Sequence, residues 1–233
     1  MLRYRAMRRG LRLIGGALIV AGALGLVWSI VVWRWEDPFT ALYTHREQGH
    51  LARQYDRLET TWRAPRTRGS GEAGERAAVA RAAEVYRRDT RTGEAIGRIS
   101  IGRIGLNMVL VDGTDHDSLR KGPGRDLRTF MPGENRLVYI AGHRTTYLAP
   151  FAHIDDIRPG DYIRVEVPYA TFVYRAFRHV IVPATDLAML RSPKHELLRL
   201  QACHPRFFAT HRYIVDARLV SVHPRGGKAY TLR

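Results

Sequence analysis

Apolar and polar positions divide the chain into three regimes. Residues 13–33 run 21 positions without a charged side chain. As a helix rising about 1.5 Å per residue, such a stretch spans roughly 30 Å, the hydrocarbon thickness of a bilayer. It is apolar all round rather than on one stripe, which favours a membrane span over a core helix. Residues 40–63 are polar and rich in Arg and Glu, with Leu42, Leu51, Tyr55, Leu58 and Trp62 at loosely helical spacing. The run APRTRGSGEAG at 64–74 reads as a linker with little apolar surface to bury. Residues 75–88 have high helix propensity and place Val79, Ala82, Ala83 and Tyr86 along one side.

From residue 96 the period changes to that of strands. The runs 96–101, 108–111, 137–141, 162–167, 171–182, 197–202 and 213–222 are bounded by Gly, Asp or Pro, and alternation is clear in YIRVEV and IVDARLV. Helical turns are expected only at 118–121, 150–154 and 185–190. This is the pattern of an all-β domain, an antiparallel barrel or sandwich. The domain organisation expected is a basic segment at 1–12, a transmembrane helix at 13–33, a partly helical stalk and linker at 34–95, and the β domain at 96–233.

Charge sets the expected orientation. Arg3, Arg5, Arg8, Arg9 and Arg12 precede the apolar run with no acid among them, whereas Glu36, Asp37 and Glu47 follow it. The positive-inside bias then keeps the N-terminus cytoplasmic and puts residues 34–233 outside. Trp28, Trp33 and Trp35 cluster at the far end, where amphipathic rings favour the headgroups. The apolar run is too long for a cleaved signal, and WSIVVW follows in place of small residues. The expected location is therefore the cell membrane, single-pass, with lipid contact through 13–33. The formal charge is +16, but only three of 38 basic residues are Lys. Abundant Arg, Ala and Gly point to a GC-rich coding composition, and no nucleic-acid partner is expected.

A single cysteine, Cys203, excludes an intramolecular disulfide framework and a multi-cysteine zinc site. It ends the apolar run LLRLQAC, His143 follows the strand ending IAG, and Arg212 opens the last strand nine residues beyond Cys203. A thiolate nucleophile needs a proton partner and a positive group for the oxyanion. Spacing alone leaves two readings open: three strand ends converging on one barrel mouth, or a core cysteine with solvated basic residues.

The strings AGHRTTYLAPF (141–151) and LQACHPRF (200–207), together with Arg212, resemble the sortases, membrane-anchored cysteine transpeptidases of Gram-positive surfaces. The resemblance extends over roughly 96–222, including VDGTD (111–115) and LRKGPG (119–124), and is nearest to class E. It implies an eight-stranded β-barrel with short helices, with Cys203 as nucleophile, His143 as general acid/base and Arg212 as oxyanion stabiliser. It also implies cleavage of a sorting motif of the LPXTG or LAXTG type between Thr and Gly. The product would pass to an amine of a peptidoglycan precursor or a pilin lysine, the donors being surface proteins or pilins that bear the motif. No cofactor and no metal are implied. The family's strand before the cysteine usually reads Thr-Leu-x-Thr-Cys, whereas this chain has RLQAC at 199–203, so Ala202 stands where a substrate-facing threonine is usual.

Ala202, Tyr147 and Arg144 are candidate substrate contacts, Tyr147 and Phe151 alternatively packing the loop after His143. His204, next to Cys203, is read as pointing away from the site, and Arg206 and His211 are read as loop residues at the barrel mouth. His153, His179 and His195 lack ligand-like spacing and are read as solvated. Two rival functions remain: another envelope cysteine transpeptidase, for which the usual Ser-His-Gly-Cys string is absent, and a non-catalytic module binding anionic wall polymers.

Overall fold

The structure, a computed structural model, describes residues 2–34, 38–65 and 71–232. Helix α1 (Leu2–Arg34) stands as a unit of its own. Its stretch Arg12–Ile30 has a mean hydropathy of 2.2, is unburied, and is long and apolar enough to cross a membrane. Trp28 is exposed near the end of that stretch. The Trp33 side chain and all of Trp35 lie outside the described residues.

The β region forms a closed barrel. Strands β1 (Ala95–Ile101), β2 (Leu106–Asp112), β3 (Gly124–Arg125), β4 (Leu137–Ala141), β5 (Tyr162–Val167), β6 (Ala170–Pro183), β7 (Leu197–His204) and β8 (His211–Pro224) follow the ring order β6-β5-β1-β2-β3-β4-β7-β8. Pairing of β6 with β8 closes the ring, and β9 (Tyr230–Thr231) adds to β8 outside it. The expectation of an antiparallel sheet holds except at β2–β3 and β4–β7, which are parallel. Parallel neighbours need long crossovers, and the β5–β6 hairpin lies within the one joining β4 to β7. Strands β3 and β9 escape sequence detection because two residues carry no period.

Alternation decides the two barrel surfaces. Ile163, Val165, Val167, Phe172, Tyr174, Leu198, Leu200, Ala202, Val215 and Ala217 point into one main core. On the opposite face of β4 and β7, Leu137, Tyr139, Ala141 and Leu197 form a second apolar floor, against which Leu119, Met189 and Leu190 pack.

The segment expected as a stalk lies against this barrel, in the same compact unit. Helix α3 (Gly71–Asp89) starts within the expected linker, of which 66–70 lie outside the described residues. It buries the four residues read as its apolar side, Val79, Ala82, Ala83 and Tyr86, in the main core. The Tyr86 ring meets Trp62 at 5.4 Å and Tyr169 at 5.7 Å between centroids, edge-on. Burial of each such aromatic stabilises by about 1.5–3 kcal/mol.

Helix α2 (Pro38–Thr61) docks by a stripe that is only partly apolar. Leu51 and Tyr55 pack on Ala95, Val109 and Val111. Further along the same face, the Gln48 side chain accepts from the Val109 N–H at 2.8 Å and donates to the Val109 carbonyl at 3.1 Å. Those backbone groups face away from β1, where β3 has not yet joined, so Gln48 replaces a missing strand. Thr44 donates to the Arg120 carbonyl at 2.7 Å. Leu42, one of the apolar positions in the expected pattern, is exposed instead.

Candidate active site

Three adjacent strands bring the sequence candidates together. In the β7–β8 ladder Cys203 and Arg212 are direct partners, so their side chains share a face with Cβ atoms about 4.5–5.5 Å apart. In the parallel β4–β7 ladder Ala141 pairs with Gln201. The Gly142 N–H makes one more bond, to the Gln201 carbonyl at 3.0 Å. His143 follows at once, two residues beyond Ala141 as Cys203 is two beyond Gln201, with neighbouring strands about 4.8 Å apart. All three sit at the same end of β4 and β7, over the second apolar floor.

Gly142 is needed for space, not for a left-handed turn: its φ is not positive. A Cβ there would stand 2.7 Å from Cδ2 of Phe151 and 3.1 Å from Cγ of Pro150. The left-handed backbone falls later in the loop, at Tyr147, Leu148 and Ala149, with φ of 55°, 59° and 34°. The loop returns through Phe151, which donates its N–H to the His143 carbonyl at 3.0 Å and is buried in the main core.

His143 is half-buried, and its Nε2 is enclosed without a hydrogen-bond partner among the described residues. Burial holds its imidazole pKa below the ordinary value, and the nearby His116 adds to that. The neutral ring is therefore favoured in this free state. Arg212 donates from Nη1 to the carbonyls of Ala209 at 2.8 Å and His211 at 3.0 Å. Its Nε and Nη2 make no hydrogen bond among the described residues, which leaves two donors of the planar fork for another acceptor. On the floor below, the Tyr139 hydroxyl lies 2.8 Å from Oε1 of Gln201.

Of the three candidate substrate contacts, Arg144 departs most from expectation, while Tyr147 takes the alternative packing role. Ala202 is buried in the main core, because strand alternation turns its methyl inward as Cys203 turns outward. Only its backbone can meet a ligand. The Arg144 side chain is 4% exposed and is held by the protein itself: Nη2 lies 2.6 Å from Asp155. Its Nη1 is 2.9 Å from Nδ1 of His204 and 3.4 Å from the Cys203 carbonyl. Tyr147 packs on the His143 ring at 5.1 Å between centroids.

His204 is thus tied to Arg144; Arg206 lies in the turn after β7, as expected, and donates to the Ala152 carbonyl, whereas His211, expected in the loop, opens β8 and is exposed. His153 and His195 are exposed, but His179 is not solvated: its Nδ1 lies 2.8 Å from the Tyr213 hydroxyl and its Nε2 is enclosed. Sequence reasoning missed Asp155, His116, Arg120 and the α2 residues Thr40 and Tyr43. The signal that could have found the last two is the helical stripe 40-43-44-48-51-55, half of which is polar and escapes a search for apolar side chains.

Comparison with known proteins gives a consistent picture. Residues 99–220 match the Sortase domain family. A stretch of 135 residues, 56% of this chain, is 33% identical to Sortase D of Bacillus subtilis and spans 66% of that relative's length. The structure of a Sortase D5 transpeptidase from Clostridium perfringens superposes with a TM-score of 0.60 over 75% of this chain and 99% of that one, at 24% identity. Sortase E1 from Streptomyces coelicolor, solved with a tripeptide in the active site, gives 0.54 over 60% and 96%, at 25% identity. The relatives thus carry both class letters, D as well as E.

Proposed function

This chain belongs to the sortase family, and from that premise we propose that it is a membrane-anchored transpeptidase in which Cys203 is the nucleophile, His143 the general acid/base and Arg212 the oxyanion donor. The observation that carries the reading is the direct pairing of Cys203 with Arg212, with His143 following the last bond of the neighbouring ladder.

In the first half-reaction the Cys203 thiol gives its proton to the neutral His143 ring, and its sulfur attacks the carbonyl carbon of a Thr-Gly bond in a sorting motif. The new C–S bond pushes charge onto the carbonyl oxygen, which Nε and Nη2 of Arg212 stabilise. Collapse breaks the C–N bond, and protonated His143 supplies the proton to the leaving glycine amine. In the second half an incoming amine attacks the thioester, gives its proton to His143 and expels Cys203. The amine is that of a peptidoglycan precursor or a pilin lysine. Substrate preference follows the class E pattern, Leu-Ala-x-Thr-Gly. The Arg-rich start of the chain, the apolar stretch within α1 and the acids after it support a cytoplasmic N-terminus and an extracellular barrel.

The test is mass measurement of the full-length chain incubated with a sorting-motif peptide. An acyl adduct is expected on the wild type and absent from Cys203→Ala. Arg212→Lys keeps the charge but loses the fork, and should slow adduct formation by about 10²-fold. A wild-type thiol that takes no adduct from any motif peptide sinks the reading.

A further inference from the structure

Helix α2 precedes the segment matched to the family, yet its first turns reach the loop beside His143. The Tyr147 backbone N–H donates to the Thr40 hydroxyl at 3.2 Å. The Tyr43 ring meets Tyr147 edge-on at 6.4 Å. The Arg120 guanidinium carbon lies 4.7 Å from the Tyr43 centroid and 5.6 Å from that of Tyr147, so both rings share one cation. Thr44, one turn on from Thr40, fixes the Arg120 carbonyl. Thr40, Tyr43 and Thr44 occupy one face of α2, at the i, i+3 and i+4 positions.

Tyr147 in turn packs on His143 with rings tilted by 39°. It opens a run of three non-glycine residues with positive φ. Such residues each cost about 1–3 kcal/mol and persist only where their surroundings over-determine them. Here the surroundings are α2 on one side and the imidazole on the other.

From this geometry we propose that Tyr147, held from behind by Thr40 and Tyr43, is a positioning residue for His143, so that α2 is a working part of the active site. The Tyr147 ring fixes the plane of the imidazole and excludes water from it. The proposal rests on the acid/base role of His143 proposed above. Besides Tyr147, the titratable and charged groups around His143 are His116 from the short helix α4 (His116–Leu119), whose charge bears on it, and Cys203 and Arg212 at the same end of β7 and β8. Tyr43 and Arg120 stand behind Tyr147. Loosening Tyr147 admits water, removes part of the burial that disfavours the imidazolium, and moves the ring off line.

The experiment uses the full chain in detergent and two readouts: acylation by a sorting-motif peptide, resolved into kcat and KM, and the pH profile of iodoacetamide reaction at Cys203, the single cysteine. His143→Ala identifies the inflection that belongs to the imidazole. Tyr43→Ala and Tyr147→Ala should each lower kcat by about tenfold to 100-fold with KM little changed, the scale of a displaced catalytic group. Both should move that inflection upward, toward the ordinary imidazole value. Phenylalanine at either position should restore most of the rate and the profile, since the ring and not the hydroxyl does the packing. If Tyr43→Ala fails to fold, Tyr43→Leu, which keeps apolar bulk without the ring, carries the same expectation. Wild-type kcat and inflection in the folded Tyr43 variant would overturn the proposal while leaving the sortase reading intact. A rise in KM alone for Tyr147→Ala would overturn it too, making Tyr147 a substrate contact. A wild-type chain that takes no acyl adduct removes the parent reading and this one with it.

Discussion

Arg144 and His204 face each other at 2.9 Å between Nη1 and Nδ1. A guanidinium only donates, so Nδ1 is the acceptor and the proton of the neutral imidazole sits on Nε2. The same Nη1 reaches the Cys203 carbonyl, and Asp155 anchors the other end of the fork. The residue after His143 therefore braces the strand that carries Cys203. Arg144→Met keeps the stem but strips these partners of their donor. It should cost about 1–3 kcal/mol of stability and slow acylation about tenfold through misplacement of the thiol. Arg144→Lys should recover only part, having no planar fork. Thermal unfolding and adduct kinetics on the two variants check this; equal loss in KM and none in kcat would return Arg144 to substrate binding.

Gly142→Ala tests the close approach before His143. The added methyl meets the Phe151 ring at 2.7 Å, and that ring is fully buried. Overpacking of this kind costs about 1–3 kcal/mol, and the displaced loop carries His143. Adding Phe151→Leu should relieve the clash and recover stability relative to the single variant. Simple additivity of the two changes in a double-mutant cycle would show that no such contact matters.

Gln48→Leu removes both bonds to the Val109 backbone, together with that to the Lys121 carbonyl at 2.8 Å. Unpaired buried backbone groups cost at least about 1 kcal/mol each, so losing the partner of three should lower the midpoint of thermal unfolding by roughly 6–12 °C, at about 2–4 °C per kcal/mol for a unit of this size. The same variant should increase hydrogen exchange at the Val109 amide. Unchanged protection there would mean that α2 does not seal the edge of β2.

Glu196 is 7% exposed and accepts from the N–H groups of Gly133 and Asn135 and from the Tyr174 hydroxyl. Burial raises its pKa to about 7 in spite of these donors. The folded state therefore holds a proton that the unfolded state releases above about 4.5. Its contribution to stability is fully present below that value and is lost as pH rises through about 7. The loss is on the order of 2–3 kcal/mol. Glu196→Gln should lack this slope, so the stability difference between wild type and variant should change across that window. A constant difference from pH 4 to 8 would show that folding does not shift the titration of this carboxyl.

Much of this protein is determined by local pattern. The apolar run of α1, the face of α3 with Val79, Ala82, Ala83 and Tyr86, and the longer strands all follow from periods that any few consecutive residues display. The motifs around His143, Cys203 and Arg212 carry enough chemical character to name a family. Other features depend on register and on contacts between distant segments. The parallel β4–β7 joint levels His143 with Cys203, and a one-residue slip would turn Cys203 inward and Ala202 outward. From the sequence, Arg144 and Tyr147 are candidate substrate contacts. They became a brace and a ring clamp because Asp155, His204 and α2 converge on them from elsewhere in the chain. The docking of α2 was hidden for a related reason. Thr40, Thr44 and Gln48 stabilise by completing hydrogen bonds, and a polar side chain reveals its partner only when the fold supplies an unpaired backbone group for it to meet.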